Sequence, residues 1–364
     1  MVIREIIYQD YLKIEKLVKK HKIKIYDQFD WEQIWKNNPY IKENKITWIP
    51  GWVIEENENI VGHIANIPVE YYYNFKPYLG SIISCWVVDN KFRYLSIKLL
   101  QKFISQKNTD FLIGTTANFN TAKVFTAFGW KKNPMQAYNE KLYVILDLKN
   151  LIRSYFKKKK ISLGNIFNNI IYLIINFIFF KKINYWKNFK IKKEFVIYNK
   201  FNEKFDNFWN KTKEFNKNIF MLNRNKEWIN WHLNHQFKNN EAWILAEEEN
   251  DEIVGYCICL YKYDDAIDLK KVILIDYVSL NNNDETLLNL LIHAVKIAKK
   301  KNSHLFEIIG FNDEKRKVIK KIKPFLRRVS FCPFYFYSNK LELEEILQKK
   351  NSWDSSILDG DSII

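Results

Sequence analysis

Two ionisable side chains in apolar surroundings are candidates for acid–base chemistry in this sequence. Asp276 lies within the apolar run Val272 to Leu280, and His63 lies in a second apolar run that begins at Ile60. Burial disfavours a charged carboxylate, so we expect desolvation to raise the pKa of Asp276 towards that of a useful general base. A structural hydrogen bond for Asp276 and a packed core position for His63 are the alternatives. The residues alone leave both roles open.

A cluster of basic side chains forms a third candidate. The run Ser81 to Val88 is apolar enough for a central strand, and Lys91, Arg93 and Lys98 lie where the next helical pattern starts. The first amides of a helix lack intrahelical partners, and the helix dipole favours an anion there. This stretch therefore predicts a site for an anion.

The elements that would position these residues occur twice along the chain. A predicted hairpin (Trp52 to Tyr73; Trp243 to Tyr263) is followed in each copy by an apolar strand, a helix, a strand and a second helix. The predicted strands after the hairpins are Ser81 to Val88 and Phe111 to Thr115 in the first copy, and Val272 to Leu280 and Leu305 to Ile309 in the second. Two units related by duplication are the simplest explanation.

The second copy lacks the basic cluster. Asp284 and Glu285 lie where its first helix starts. Carboxylates suit the positive end of a helix dipole but would repel a bound anion. We expect the second unit to complete a cleft rather than to hold the anion.

The order of elements and the basic stretch resemble the GNAT (Gcn5-related N-acetyltransferase) family. The run from Val88 to Lys98 is similar to the family pattern V-x-x-x-x-(Q/R)-x-x-G-x-(G/A); Arg93 matches, while Ser96 and Lys98 replace glycines. Side chains at those positions can hinder close approach of the backbone to a phosphate. The resemblance implies an α/β fold with mixed sheets, made of two tandem GNAT-like units with a helical insertion between them.

A second motif lies later in the first unit. Asn118 and the helix that ends in Phe128-Gly129-Trp130 are similar to the late segment of the family, whose asparagine contacts the CoA arm. Phe125 stands where the family usually has a proton-donating tyrosine, with Tyr94 and Tyr138 as possible substitutes. The resemblance thus implies acetyl-CoA or another acyl-CoA as co-substrate. Its implied binding residues are Val87, Val88, Arg93, Tyr94, Leu95, Ser96, Ile97, Lys98 and Asn118.

Over most of the chain the sequence is similar to tandem GNAT-like proteins of bacterial surface-polysaccharide gene clusters. The runs Cys85 to Arg93 and Thr115 to Asn118 carry that similarity, together with Trp353 and Asp359-Gly360-Asp361. It implies an N-acetyltransferase or other acyltransferase whose acceptor is an amine, such as an amino sugar. The acidic tail either is disordered or folds back to line the cleft. The alternatives are a Fem-like transferase that uses aminoacyl-tRNA, an O-acyltransferase, and a non-catalytic binding scaffold.

The predicted domains are unit 1 (residues 1–148), a basic and apolar helical insertion (149–196), a degenerate unit 2 (197–345) and the acidic tail (346–364). In the insertion, Lys157 to Lys160 and Lys181 to Lys182 flank an apolar stretch. We expect an in-plane amphipathic helix that contacts an anionic membrane through residues 157–193. A helical linker packed on the protein is the alternative. The polar stripe would be Asn165, Asn169, Tyr172 and Asn176, and the membrane-facing side chains Phe167, Ile171, Ile174 and Ile178.

Composition limits the remaining classes. The chain has 364 residues, a hydrophobic fraction of 47% and a formal charge of +17. Of its 58 basic residues only seven are Arg, the better reader of phosphates and bases, so we do not expect nucleic acid as a partner. The spacing of Cys85, Cys257, Cys259 and Cys332 matches no zinc motif, which predicts free thiols, no metal and a reducing compartment. The charged first twenty residues lack a signal-peptide core, so we expect a cytoplasmic protein, peripheral to the inner membrane face.

Overall fold

The computed structural model describes residues 1–161, 164–190, 193–329 and 333–361. The described strands are β1 (Val2–Glu5), β2 (Gly51–Glu56), β3 (Asn59–Tyr73), β4 (Lys76–Val88), β5 (Phe111–Gly114), β6 (Lys131–Lys132), β7 (Glu140–Ile145), β8 (Val196–Tyr198), β9 (Met221–Leu222), β10 (Ala242–Glu249), β11 (Glu252–Asp264), β12 (Leu269–Ser279), β13 (Leu305–Ile308), β14 (Phe325–Arg328) and β15 (Tyr335–Tyr337). The described helices are α1 (Tyr11–Lys20), α2 (Gln28–Lys36), α3 (Pro39–Asn44), α4 (Ser96–Ile104), α5 (Phe119–Ala127), α6 (Leu148–Lys159), α7 (Asn165–Ile183), α8 (Glu203–Phe215), α9 (Lys226–His232), α10 (Asn234–Lys238), α11 (Asp284–Lys300), α12 (Asp313–Lys320) and α13 (Leu341–Gln348).

Two mixed sheets confirm the predicted fold class. The first has the order β1-β2-β3-β4-β5-β15-β6, with β9 paired to β3, and the second has the order β14-β7-β13-β12-β11-β10-β8. Each contains the predicted hairpin (β2–β3; β10–β11), a long antiparallel neighbour (β4; β12) and a parallel strand (β5; β13). The helices α4 and α5 follow in the first copy, and α11 and α12 in the second. The duplicated order of elements is therefore present.

The two sheets exchange a strand, which the sequence did not predict. β7 lies at the end of the predicted first unit but pairs with β13 and β14 in the second sheet. β15, near the end of the chain, pairs with β5 and β6 in the first sheet. The domain limit at residue 148 remains a prediction, but each sheet includes at least one strand from the other predicted unit.

Most of residues 352–360 of the C-terminal tail are buried in the protein. Trp353 is fully buried and its ring lies 5.1 Å from that of Phe220 and 5.5 Å from that of Phe334. Tyr71 of β3 and Phe220 stack in the same cluster, 4.9 Å apart. Side chains of both halves thus share one core. Of the two predictions for the tail, folding back into the protein is the one that the structure bears out.

The insertion consists of α6 and α7, which pack against each other beside the second sheet. Ile171, Tyr172 and Ile175 of α7 pack with the buried Ile152 of α6. The predicted faces are therefore wrong in two places: Ile171 and Tyr172 face the protein, not lipid and water. The side chain of Asn165 and residues 162–163 and 191–192 lie outside the described part of the chain. No helix among the described residues has the length and apolarity to cross a bilayer.

Candidate functional site

A β-bulge interrupts the central pair of strands in the first unit. Ala65 of β3 pairs with Ser84 of β4 and His63 pairs with Val87, so two residues of β4, Cys85 and Trp86, face the single residue between them. Cys85 has a positive φ of 47°. A bulge leaves its extra residue outside the hydrogen-bond ladder and bends the strand. The bend separates the end of β4 from β5, whose parallel pairing with β4 covers only Phe111 to Ile113.

The predicted base His63 lies at this bulge. Its side chain is 1% exposed, and its Nδ1 lies 2.9 Å from the carbonyl oxygen of Cys85. Because a carbonyl only accepts, Nδ1 carries the proton and Nε2 presents a lone pair. Among the described residues Nε2 has no hydrogen-bond partner. Burial lowers the pKa of His63 to about 4, so the ring is neutral at pH 7 and only weakly basic.

The tail brings a carboxylate to the same place. Asp361 accepts hydrogen bonds from the hydroxyls of Thr115 at 3.2 Å and Thr116 at 3.3 Å, just beyond β5, and from that of Ser84 on β4. It therefore crosses the gap between the separated strands. Burial raises the pKa of Asp361. The sequence suggested that tail carboxylates line the cleft, but it did not single out this residue.

A cavity of about 620 Å³, which we call the junction cleft, lies where the two units meet. His63, Cys85 and Asp361 lie at one end. Its remaining walls come from both units: the loop 24–27, Trp31, Ile34 and Trp35 of α2, Ala65 and Ile67 of β3, Ser84 of β4, His235 and Gln236 of α10, Glu241, and residues 261–263 of β11. The second unit therefore contributes to the cleft, as expected.

The charges in the junction cleft are of both signs. Asp361, Asp27 and Glu241 are acidic, whereas Lys24 and Lys262 are basic. Partial burial lowers the pKa of Lys262. The lining thus carries three carboxylates and two lysines, a balance that slightly favours a positively charged molecule.

The four Trp residues of α2 and α9 differ in exposure. Trp31, Trp35 and Trp228 are buried and Trp231 is half-buried. Trp31 and Trp35 both pack in the core and line the junction cleft. The indole of Trp35 donates to the carbonyl oxygen of Asn66 at 2.8 Å, which fixes the ring.

The helix expected just past Val88 begins there, but its amides are arranged differently from the expectation. A 3₁₀ helix, Asn90–Leu95, runs directly into α4. The amide of Phe92 donates to the carbonyl of Asp89, and the amide of Ser96 donates to that of Arg93. The amides without an intrahelical acceptor are consequently those of Asn90 and Lys91. The open turn lies before Arg93 rather than between Arg93 and Lys98.

The implied cofactor-binding side chains fall into two groups. Arg93, Tyr94 and Lys98 are exposed around the helix start, as is Lys91. The apolar members are core residues or partly buried: Val87, Val88, Leu95 and Ile97. Asp89 at the start is paired with Lys20 at 2.8 Å and His21 at 3.0 Å. The basic cluster therefore faces solvent around the first turn.

Asn118 caps a helix. Its Oδ1 accepts from the amides of Asn120 and Thr121 at the start of α5, while the residue also lines a cavity of about 380 Å³ that reaches Gly360. Phe125 is buried between Trp86 and Trp130, 4.3 Å from the latter ring. It has no proton to donate. Of the proposed substitutes, Tyr94 is exposed, and the buried hydroxyl of Tyr138 donates to the carbonyl of Ser356 in the tail.

Asp276 requires a correction. Its side chain is fully buried. The guanidinium of Arg224 donates a bidentate pair of hydrogen bonds to its carboxylate at 3.0 and 3.1 Å, and the hydroxyl of Tyr256 donates a third at 2.7 Å. Desolvation alone would raise the pKa of Asp276, as we expected, yet the pairing with Arg224 outweighs it and the pKa is lowered. The expected direction was wrong because the buried arginine could not be placed from the sequence.

The corresponding gap in the second unit is closed by the tail. β12 also carries a bulge, at Ile275, beyond which it separates from β13. Gly310, just after β13, forms a β-bridge with Ser356, whose hydroxyl donates to the carbonyl of Ile275 at 2.6 Å. The start of α11 is likewise occupied, because the side chain of Asn283 caps the amides of Glu285 and Thr286. In the second unit, Ser356 of the tail and the side chain of Asn283 thus occupy the two places. In the first unit these places hold the carboxylate of Asp361 and the helix-start amides of Asn90 and Lys91, which have no intrahelical acceptor.

Solved structures that resemble this fold were found at low sequence identity. N-myristoyltransferase of Saccharomyces cerevisiae superposes with a TM-score of 0.55 at 13% identity, over 93% of this chain and 78% of that one. A conserved protein of Enterococcus faecalis gives a TM-score of 0.58 at 9% identity, over 96% and 74% of the two chains. A GCN5-related N-acetyltransferase of Anabaena variabilis gives 0.53 at 9%, over 93% and 73%.

No protein-family model and no curated protein sequence matches the chain. The structural neighbours therefore establish the fold alone. The chain has the mixed α/β fold of GNAT-type N-acyltransferases, in a two-unit arrangement that spans nearly all of its length.

Proposed function

We propose that this chain is an acyl-CoA-dependent N-acyltransferase whose first unit binds the donor and whose junction cleft binds an amine. The observation that carries the proposal is the bulge at Cys85 and Trp86, which opens β4 from β5 beside His63 and Asp361. The yeast neighbour was crystallised with bound myristoyl-CoA, which supports an acyl-CoA donor for a chain of this fold.

On the donor side, the diphosphate of the CoA would lie at the amides of Asn90 and Lys91, with the exposed Arg93 and Lys98 neutralising its charge. A bound acyl-CoA supplies an acyl group activated as a thioester. The bulged residues Cys85 and Trp86 leave an amide outside the strand ladder, and such an amide can polarise the thioester carbonyl. The other implied residues, Val87, Val88, Tyr94, Leu95, Ser96, Ile97 and Asn118, remain part of the proposed donor site.

On the acceptor side, Asp361 takes the proton that the amine loses as its nitrogen forms a bond to the acyl carbon and the bond from carbon to sulfur breaks. Its raised pKa suits it to this step better than His63, whose low pKa limits it to accepting a hydrogen bond at Nε2. Most of the rate enhancement would come from holding the amine against the thioester. The departing thiolate takes its proton from solvent, since Phe125 cannot supply one.

Calorimetry with acetyl-CoA and with a long-chain acyl-CoA tests donor binding. We expect the native protein to bind at least one of them, and Arg93→Glu to weaken binding roughly tenfold through loss of a phosphate contact and like-charge repulsion. Lys102→Glu makes the same charge change on the exposed surface of the same helix and should bind as the native protein does. No heat with either donor would overturn the proposal.

A specific observation favours a second candidate, a non-catalytic scaffold of this fold. Asp361 crosses the gap between β4 and β5 through Ser84 and Thr115, and the tail closes the second gap outright. Assays with an amino sugar and the donor that binds would separate the two. Release of free CoA thiol that depends on the amine supports the enzyme, and donor binding without turnover supports the scaffold.

The biological setting belongs to the same proposal. An amino sugar of a surface polysaccharide, free or lipid-linked, remains the proposed acceptor, at the inner face of the cytoplasmic membrane. A Fem-like use of aminoacyl-tRNA predicts salt-sensitive retention of tRNA, which an N-acyltransferase acting on small amines would not show.

A further inference from the structure

The surface of the insertion contains a continuous apolar strip that no described part of the protein covers. Leu173 is 62% exposed and Phe177 is 87% exposed. Six further side chains of α7 are at least two-fifths exposed: Phe167, Ile170, Ile174, Ile178, Phe179 and Phe180. Single exposed apolar residues are ordinary, but a contiguous strip of this size marks a site of interaction. We call these residues the α7 strip, leaving out Phe179, whose ring contacts Phe325.

The opposite side of α7 is fixed to the protein. Ile171 and Ile175 pack with α6, and Phe179 contacts the ring of Phe325 at 5.8 Å. The helix therefore lies along the surface, with one side on the second sheet and the α7 strip facing outwards. This is the orientation of a helix that lies in the plane of an interface.

The charge around the α7 strip has one sign. Residues 148–193 contain eleven Lys and one Arg and no Asp or Glu, which is most of the formal charge of +17. Lys157 to Lys160 at the end of α6, and Lys181 and Lys182 near the end of α7, are all exposed. None of these six lysines takes part in the ion pairs formed among the described residues. Their charge is available to an anionic partner.

A cavity of about 630 Å³ is lined in part by α7 and, like the α7 strip and its flanking lysines, combines apolar with basic side chains. Its apolar lining includes Ile171 and Ile175 of α7 and Ile152 of α6. Its charged lining is mainly basic, with Lys141, Lys158, Lys271 and Arg327 against one carboxylate, Glu307. Apolar walls beside exposed positive charge are the complement of an anionic lipid, whereas a second copy of this chain would bring the same basic residues into repulsive contact.

We propose that the α7 strip and its flanking lysines dock the protein on an anionic lipid bilayer, with α7 lying in the plane of the headgroups. Leu173 and Phe177 enter the acyl region, and the lysines at the ends of α6 and α7 meet anionic headgroups. Each basic residue near such a surface contributes a factor of roughly five in affinity. The proposed acyl transfer is not required for this binding.

Co-sedimentation with vesicles of phosphatidylcholine, alone or mixed with phosphatidylglycerol, tests the proposal. We expect the native protein to pellet with the mixed vesicles, less so at high salt, and little with the neutral ones. Leu173→Asp with Phe177→Asp should abolish pelleting. The control, Leu12→Asp with Leu341→Asp, makes the same charge change at exposed apolar positions elsewhere and should pellet normally. Thermal melting of both variants checks that they fold.

A second pair of variants isolates the electrostatic part. Lys159→Gln with Lys181→Gln should weaken vesicle binding roughly 25-fold, whereas Lys102→Gln with Lys107→Gln, also exposed, should change it much less. Pelleting of the folded Leu173→Asp/Phe177→Asp variant at the native level overturns the proposal. Failure of the native protein to pellet with anionic vesicles also overturns the proposal, even if the protein is found to self-associate through the α7 strip. Since the assay contains no acyl-CoA and no acceptor, its failure is separable from failure of the proposed activity.

Discussion

Arg224 and Asp276 form a bidentate ion pair in the interior of the second unit, with N–O distances of 3.0 and 3.1 Å. The side chain of Arg224 is 2% exposed and that of Asp276 is 0% exposed. Arg224 also donates to the carbonyl of Leu222 at 3.1 Å, and Tyr256 donates to Asp276. Both charges are thus satisfied by protein groups alone. Such a pair maintains the structure, and the carboxylate of Asp276 within it is not accessible to solvent.

The first prediction concerns this pair. Asp276→Asn should lower the free energy of unfolding at pH 7 by about 3–5 kcal/mol, because it leaves a buried guanidinium uncompensated. Since the folded-state pKa of Asp276 is lowered, its contribution is present above the unfolded pKa of about 3.8 and is lost as the pH falls through the folded value. The cost of the substitution should therefore shrink below about pH 4. Urea unfolding at several pH values measures this.

A double variant and an activity measurement supply the controls. The double variant Arg224→Met/Asp276→Leu should be less destabilised than either single variant, because it leaves no unpaired charge in the interior. If the folded Asp276→Asn variant has a kcat within about threefold of the native value, the role of Asp276 is structural. A drop of two orders of magnitude or more at unchanged fold would restore the general-base hypothesis.

A second prediction concerns Asp359 in the tail. It is fully buried and accepts from the hydroxyl of Tyr71 at 2.7 Å and the amide of Ser356 at 2.6 Å. Burial raises the pKa of Asp359 to about 6, so the folded state holds this proton more tightly than the unfolded chain. The free energy of unfolding should fall as the pH rises from about 4 to about 6, by on the order of 2–3 kcal/mol.

Asp359→Asn should remove that slope, because an amide keeps an acceptor oxygen for Tyr71 and does not titrate. Chemical unfolding of the two proteins across this pH range, compared as a difference, isolates the contribution of this one group. If the free energies of unfolding of the native protein and of the variant change with pH in parallel, the pKa of Asp359 is not raised in the folded protein.

A third prediction addresses Asp361 as a base. Asp361→Asn should lower kcat by two to four orders of magnitude and leave the dissociation constant of the donor nearly unchanged. Because burial raises its pKa, the acid limb of the native kcat/KM profile should lie above the usual range for a carboxyl and should be absent in the variant. Asp359→Asn, the same chemical change two residues away, is the matched control and should keep the acid limb.

A fourth prediction follows from the exchanged strands. Residues 1–148 lack β15, whose Phe336 is fully buried in the first sheet, and residues 149–364 lack β7, whose Leu142 is buried in the second. Either fragment alone should be insoluble or unfolded, because each exposes an apolar sheet edge. Co-expression should recover a soluble complex with the circular dichroism spectrum of the whole chain. A folded, monomeric 1–148 fragment would contradict the prediction.

Local pattern determined the repeated part of this protein. The alternation of apolar residues at Trp52 to Tyr73 and Trp243 to Tyr263, and the helical spacing after each long strand, depend on neighbours within a few residues. For that reason the hairpins, the central strands and the helices at their ends could be placed from the sequence, and so could the basic start of the helix after Val88.

Tertiary structure alone decided the rest, because these features join residues far apart in the chain. Arg224 reverses the pKa shift of Asp276 across 52 positions, and Asp361 reaches Thr115 across 246. β7 and β15 are short strands with no periodicity to indicate which sheet they enter. Ile171 and Tyr172 pack in one cluster with Phe325, a contact that the sequence could not place, so their predicted positions were wrong, whereas Ile174 and Ile178 are exposed. Burial and pairing across such distances are set by packing, which no local pattern encodes.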